Sequence, residues 1–312
     1  AAMDSALSAD AVQLVAIPGK GFGVVARRPL PARTVVHVER PLVAASISGG
    51  VQCYHCLRPL PRGAGVPCAC DRMFCSAECK ATAVAHYHGA LCGAGGGKVD
   101  AMLEAAARDD PKYAARGILV PWKMLGLALT AAAAAGTPPV APLDLPPFCH
   151  LHRPTDLVQA GGSGGSDSGL YKHIHVAPLA VAWALYYDAL GDKASALVQL
   201  PSNWLMEVHG ATGGNAFGLP GGVGKPDGTS LASVGSYFNH SCVPNAIWVA
   251  DAMGGASLSF TTQRAVAAGE ELTISYAGDK DQSLRRARLA FQYGFKCVCP
   301  ECEEEARLKA AG

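Results

Sequence analysis

The chain has 312 residues, is half hydrophobic, and sets 26 basic against 25 acidic side chains for a formal net charge of +1. That length can bury a sizeable core in one elaborate domain or two to three small ones. The near-neutral balance excludes a global electrostatic attraction to nucleic acid or a membrane surface, and the longest apolar run, residues 124–135, is too short to cross a bilayer.

Residues 12–17, 23–26 and 34–38 are short apolar runs bounded by turn signals and are predicted as strands. Pro18-Gly19-Lys20-Gly21 is the turn between the first two. Its glycines let the backbone approach a ligand closely, although a lone G-x-G is also ordinary hairpin punctuation. No N-terminal stretch combines a basic flank, an apolar core and a cleavage site, so no targeting segment is expected.

The character changes at Cys53. Cys53-x2-Cys56 is followed by Cys68-x-Cys70, Cys75-x3-Cys79 and His88-x3-Cys92. Eight ligands in closely spaced pairs make two four-coordinate sites, which implies reduced thiolates, tetrahedral zinc and an intracellular compartment. His86 competes with His88 as the nitrogen ligand, but His88 has the better spacing to Cys92. A 40-residue segment buries little core, so the metals would supply its folding free energy.

Residues 93–97 are a glycine linker. Helices are predicted over 99–108, 121–135, 178–190 and 201–209, with proline near three of the starts. Residues 136–147 are proline-rich and 161–169 Gly/Ser-rich. Cys149-His150-Leu151-His152 has only three ligands and no partner pair, and reads as plain loop. Trp183, Tyr186 and Trp204 are assigned to core.

Polar chemistry returns with Asn215-Ala216-Phe217-Gly218-Leu219 and a second Gly/Pro-rich loop, 220–227. The densest run is Tyr237-Phe238-Asn239-His240-Ser241-Cys242-Val243-Pro244-Asn245, whose side chains can hold a polar ligand. A hairpin of 247–249 with 257–262 follows, then a strand over 270–276. Glu270 and Glu271 are expected at its exposed start, without proton chemistry. A helix over 281–292 carries Arg285, Arg286 and Arg288 as a solvated face. Cys297-x-Cys299-x2-Cys302 supplies three thiolates, and Cys242 is the natural fourth. Three zinc sites then use eleven of the twelve cysteines and leave Cys149.

Taken together, Lys20-Gly21-Phe22-Gly23, Asn239-His240-Ser241-Cys242-Val243-Pro244-Asn245, Glu270 to Tyr276 and the terminal C-x-C-x2-C resemble a SET-domain protein interrupted by a MYND finger, the SMYD family of protein lysine methyltransferases. The resemblance implies an α+β fold of short β-sheets with a pseudoknot, in which the Asn239 and Tyr276 segments are threaded together. It divides the chain into an N-terminal SET part (3–52), the finger (53–92), a helical SET-I insertion (93–210), a C-terminal SET part (211–276) and a zinc-binding post-SET segment (277–312). It assigns Cys53, Cys56, Cys75 and Cys79 to one zinc and Cys68, Cys70, His88 and Cys92 to another.

In such proteins the methyl donor is S-adenosylmethionine. The resemblance implies that Lys20, Gly21, Phe22, Asn239, His240, Tyr276 and Phe295 bind it, with Tyr276 at the transfer centre. Phe217, Tyr276 and Tyr293 would wall the channel for the substrate lysine. Expected partners are a lysine-bearing protein, histone or not, and a proline-rich peptide at the finger; a monomer in the nucleus or cytoplasm is expected, with no membrane or direct nucleic-acid partner. The acidic cluster Glu301 and Glu303 to Glu305 hints at basic substrates. The alternative is an interaction module whose SET portion is weak or inactive.

Overall fold

The structure, a computed structural model, describes residues 10–46, 52–93, 99, 105, 115–151, 177–219, 228–251, 255–278 and 281–311. In chain order its strands and helices are β1 (Val12–Ile17), β2 (Gly21–Ala26), β3 (Val35–Glu39), β4 (Val43–Ser46), β5 (Val66–Pro67), β6 (Met73–Phe74), α1 (Ala77–Ala83), α2 (Val120–Ala135), α3 (Ala177–Leu190) and α4 (Trp204–Asn215). They continue with β7 (Ala216–Leu219), β8 (Gly228–Leu231), β9 (Asn239–His240), β10 (Ala246–Ala250), β11 (Leu258–Thr262), β12 (Glu271–Ile274), α5 (Gln282–Tyr293) and α6 (Pro300–Ala311). Most of the predicted helix 99–108, His152, the Gly/Ser-rich segment 161–169 and the loop 220–227 lie outside the described residues.

Two compact units emerge, Ala1–Arg40 with Ala232–Asp251 and Ser257–Gly312, and Pro41–Leu231 with Ala252–Ala256. The first holds two small sheets, in the orders β1-β2-β12-β9 and β10-β11-β3. Antiparallel pairing of β1 with β2 runs from Val12 opposite Ala26 to Ile17 opposite Gly21, so the predicted hairpin forms around Lys20. Gly19 and Gly21 both take positive φ in this turn, 73° and 78°, a region that glycine enters without strain. The expected β10–β11 hairpin is present, with Phe260 of β11 stacked on Phe238 at 4.4 Å between centroids.

Strand β9 pairs in parallel with β12, Asn239 opposite Thr273 and His240 opposite Ile274. This is the close association of two distant segments that the pseudoknot expectation required. Asn245 locks it from the side. Its amide nitrogen donates to the Glu271 carbonyl at 2.8 Å, and its Oδ1 accepts from the Thr273 N–H at 2.8 Å.

The second unit has one sheet, β4-β8-β7, the β5–β6 hairpin and one continuous core. Fully buried Trp204, Tyr186, Phe148, Met124 and Leu125 fill that core, alongside Tyr87 and Phe74 from the cysteine-rich segment. The aromatics assigned to packing are there: Trp183 lies 6.2 Å and Tyr186 6.5 Å from Trp204 between centroids.

Three differences from the sequence reading have physical causes. Helix α4 runs to Asn215 rather than stopping at 209, because Thr212 and Asn215 donate side-chain hydrogen bonds to Val208 and Ala211 carbonyls and bury the turn that holds Gly213-Gly214. Strands β4, β7 and β8 and helix α6 carry too little periodicity to have been predicted. The apolar helical stretch also begins earlier than 124: Gly117–Ala135 is long and apolar enough to cross a membrane by length and composition, and 61% of that window is buried inside the protein.

Candidate functional site

Three groups of four ligands form, Cys53/Cys56/Cys75/Cys79, Cys68/Cys70/His88/Cys92 and Cys242/Cys297/Cys299/Cys302, with the ligand atoms of each within 4.8 Å of one another. In the first, Cys56 and Cys75 sulfurs are 3.6 Å apart and Cys75 and Cys79 sulfurs 3.4 Å. In the second, His88 Nε2 is 3.4 Å from Cys68 and 3.3 Å from Cys70, which identifies His88 rather than His86 as the nitrogen of the group. In the third, Cys242 lies 3.9 Å from Cys297 and 3.6 Å from Cys302. A tetrahedral zinc with Zn–S bonds of about 2.3 Å sets neighbouring sulfurs about 3.8 Å apart, so each group fits such an ion.

The finger is built to present these ligands. Ser76 caps α1 by accepting from the Cys79 N–H at 3.1 Å, which fixes the Cys75 and Cys79 ends of one pair. A wide helical turn, Val84–His88, then buries Tyr87 and His88. Where thiols crowd, their proton affinities split. The hydrogen bond with Cys56 holds the Cys53 thiol down at about 4, and the same bond pushes Cys56 well up. A divalent ion resolves that conflict, because it takes every sulfur as thiolate.

Around the third group the motif residues converge. Tyr276 donates its hydroxyl proton to the Phe238 carbonyl at 2.7 Å, and its backbone N–H donates to His240 Nδ1 at 3.0 Å. With Nδ1 an acceptor, His240 carries its proton on Nε2, which lies 3.4 Å from the Cys242 sulfur. Burial foremost, and then the charges of Arg285 and Lys20, lower His240 to about 4, so the ring is neutral. Tyr276 packs 4.8 Å from Tyr293 and 6.4 Å from Phe295 between centroids, and His240 lies 6.1 Å from Phe295. Burial, with the charges of Tyr293 and Glu271, raises Tyr276, which stays a phenol.

The K-G-F-G end meets the same strands. Asn239 Nδ2 donates to the Phe22 carbonyl at 3.1 Å and to Glu271 Oε1 at 2.7 Å. Lys20 pairs with Glu271 at 2.8 Å. Gly23 is required by crowding: a Cβ there would stand 2.8 Å from Glu271 Oε1 and 2.9 Å from Asn239 Nδ2. The exposed Phe22 ring meets Tyr237 edge-on at 6.2 Å. Phe217 belongs to the other unit, where it is buried on β7 opposite Ser230.

Two sequence expectations need correction. Glu270 and Glu271 are not bare: Glu270 accepts from Arg264 at 2.6 Å and Asn245 at 2.9 Å, and Glu271 joins Lys20 to Asn239. Arg285 is not on a solvated face but buried, 3.2 Å from Glu305 and 3.9 Å from Glu301, while Arg286 donates to the Cys302 carbonyl at 3.1 Å. Of the acidic cluster, Glu301 and Glu305 face Arg285 and Glu304 pairs with Arg307, while Glu303 is exposed. Lys123, which the sequence reading did not single out, is fully buried; its signal was a single charge inside Val-Pro-Trp-Lys-Met-Leu. Cys149 is exposed and belongs to none of the three groups.

Known proteins resemble the chain over different shares of its length. A SET and MYND domain-containing protein of Dictyostelium discoideum is 36% identical over 94 residues, 30% of this chain and 23% of the relative. The potential protein lysine methyltransferase SET6 of Saccharomyces cerevisiae is 36% identical over 108 residues, 32% of this chain and 28% of its own. The histone-lysine N-methyltransferase ASHR2 of Arabidopsis thaliana is 27% identical over 94% of this chain and 72% of its own. The Dictyostelium match thus spans less than a quarter of that relative's length. Among solved structures, the SET domain of LSMT bound to lysine and AdoHcy superposes with a TM-score of 0.43 at 15% identity, over 93% of this chain and 54% of the other. The SET domain profile matches residues 21–277, well over half of the chain, and the chain belongs to the SET domain family.

Proposed function

We propose that this chain is an S-adenosylmethionine-dependent protein-lysine N-methyltransferase. The observation that carries the reading is the convergence of Asn239, His240, Tyr276, Tyr293 and Phe295 beside the Cys242 cluster, from three separate stretches of the chain. Its relatives point the same way: ASHR2, matched across most of this chain, is named a histone-lysine N-methyltransferase.

When bound, the donor supplies a sulfonium methyl; in its transfer the lysine nitrogen forms the new N–C bond as the C–S bond breaks, and the bonding pair stays on sulfur. The chain's own work in such an in-line displacement is alignment and desolvation. Tyr276 has committed its proton to Phe238, so its oxygen offers lone pairs, and as a phenol it is no base. Beside the Tyr276 and Tyr293 rings the substrate amine would be taken out of water, and that desolvation favours the neutral amine nucleophile. The displaced lysine proton leaves through solvent.

At the other end, both Asn239 amide protons are directed to acceptors, the Phe22 carbonyl and Glu271. The amide oxygen therefore faces outward as an acceptor suited to the donor's ammonium, while Lys20 suits its carboxylate. Phe22 and Phe295 offer ring faces for the rest of the donor.

Zinc at Cys242/Cys297/Cys299/Cys302 is structural in this reading, holding Tyr293 and Phe295 against Tyr276. The substrate is a lysine-bearing protein, and a reducing compartment, nucleus or cytoplasm, suits the thiolate sites. A proline-rich peptide is the partner proposed for the finger. The test is transfer of a labelled methyl group from S-adenosylmethionine to proteins of a cell extract, with the acceptor residue read by mass spectrometry. Labelled lysine with the wild type, and at least about tenfold less with Tyr276→Phe (about 1.4 kcal/mol in the barrier), is expected. Tight donor binding with no incorporation would favour the interaction-module alternative.

A further inference from the structure

Lys123 is a buried charge for which methyl transfer has no use. It lies on α2 with no exposed surface, inside a run from Val120 to Ala128 that is buried throughout. Its ammonium donates to the Ala44 and Tyr54 carbonyls, both at 2.6 Å, and sits 4.2 Å above the Tyr54 ring centroid and 5.4 Å from that of Tyr87. Among the described residues no carboxylate is within ion-pair distance of it. Carbonyl dipoles and ring faces soften a buried ammonium but do not neutralise it.

The groups that hold Lys123 are neighbours of metal ligands. Tyr54 follows Cys53 and Tyr87 precedes His88, so the lysine is gripped by residues adjoining both clusters of the finger. A divalent ion held by four thiolates carries two excess negative charges; one held by three thiolates and a neutral imidazole carries one. Cys53 is buried and its three partners half-buried, so part of that negative charge is withheld from water and favours a nearby cation. The approach of α2 to this region is built for close contact, because a Cβ at Gly126, one turn beyond Lys123, would lie 2.7 Å from the Tyr87 carbonyl and 2.7 Å from Leu91 Cδ1.

We propose that Lys123 is the counter-cation of the Cys53/Cys56/Cys75/Cys79 metal site, so that loading the finger with zinc and seating α2 against it are one coupled event. The balance of forces on the ammonium fits. Burial first, and then the charge of Arg72, lower its pKa, while Cys53 and Cys56 raise it. Coupling is reciprocal: if the ion favours the charged lysine, the charged lysine favours the ion by the same factor. The inference needs only the metal site and stands whether or not the chain transfers methyl groups.

The test compares wild type with Lys123→Met, which keeps length and removes charge, in the full zinc-loaded chain and after chelation. Zinc release to a chromogenic chelator and the thermal midpoint are both measured. Expected is at least tenfold faster release of one zinc in Lys123→Met, and a midpoint lowered with zinc present but equal to or above wild type without it. A plain structural plug would instead lower the midpoint equally in both states and leave zinc release unchanged, which would overturn the proposal. Should Lys123→Met yield no folded protein, acetylation of wild-type lysines read by mass spectrometry replaces it. Lys123 is then expected to be protected with zinc and labelled like the exposed Lys193 after chelation. Protection that survives chelation would overturn the coupling.

Discussion

In the proposed enzyme, single side chains decide the character of the donor end. Gly23 admits Glu271 and Asn239 to within 3 Å of where a methyl group would stand, and Glu271 in turn fixes which edge of the Asn239 amide faces outward. Glu271→Gln removes the charge that holds both Asn239 and Lys20. Donor affinity is expected to fall by about tenfold or more, roughly 1.4 kcal/mol, measured by calorimetry with S-adenosylhomocysteine. Unchanged affinity would show that Glu271 has no part in orienting the amide.

Glu270 acts on stability instead. The hydrogen bond from Arg264, with help from the Ala267 N–H and Asn245, holds its carboxyl at about 2 against an ordinary 4.5. A carboxylate with a depressed folded pKa stabilises above its unfolded pKa and loses that contribution as pH falls through the folded value. The stability gap between wild type and Glu270→Gln should therefore close between pH 4.5 and about 2 in acid-unfolding curves, with metal loss common to both; a constant gap would contradict it.

At this scale the sequence was most legible where residues act as ligands. Cysteine spacing gave the ligands, the family resemblance their division between the two finger sites, and the N-H-S-C run pointed to Asn239 and His240. It was blind to Lys123, Glu271 and Arg285. A charge is written the same way whether it ends in solvent or beneath a helix, and only packing decides which.

Elements were legible in proportion to their periodicity. The β1–β2 hairpin and α2 came within a residue or two of their observed bounds. Short strands such as β7 and β8 hold four residues each and are defined by pairing with one another rather than by pattern. Helix α4 outran its prediction through two glycines because local side-chain hydrogen bonds and burial outweigh about 1 kcal/mol of lost propensity per glycine. The reverse case is Gly126. Alanine there would gain about 1 kcal/mol of helix propensity, yet its methyl would press on the Tyr87 backbone. Overpacking of that kind costs about 1–3 kcal/mol, so Gly126→Ala is expected to be net destabilising in thermal or denaturant unfolding, and a raised midpoint would refute the tight packing of α2 on the finger. Helix α5 shows a related inversion. Arg285 and Arg286, expected in water, brace α6 and the Cys302 backbone, so the helix serves the terminal metal group.

For the whole molecule, the fold class and the meeting of distant segments were readable, because motifs spread from Lys20 to Cys302 make sense only together. How the chain divides was less readable. The finger and the helices share one core with β4, β7 and β8, since a cysteine-rich segment with few apolar residues lends Tyr87, Phe74 and Tyr54 to its neighbours. The central claim is that the terminal metal makes the donor pocket: Cys242 belongs to the N-H-S-C run, the other three thiols to the segment that carries Tyr293 and Phe295, and His240 touches both. Cys299→Ala isolates that claim, because the two finger sites keep all their ligands. The decisive measurement is methyl transfer by Cys299→Ala purified with zinc content and helicity determined in parallel. Two zinc ions per chain, near-native helicity and loss of transfer are expected, whereas wild-type turnover from a chain shown to lack the third zinc would contradict the account.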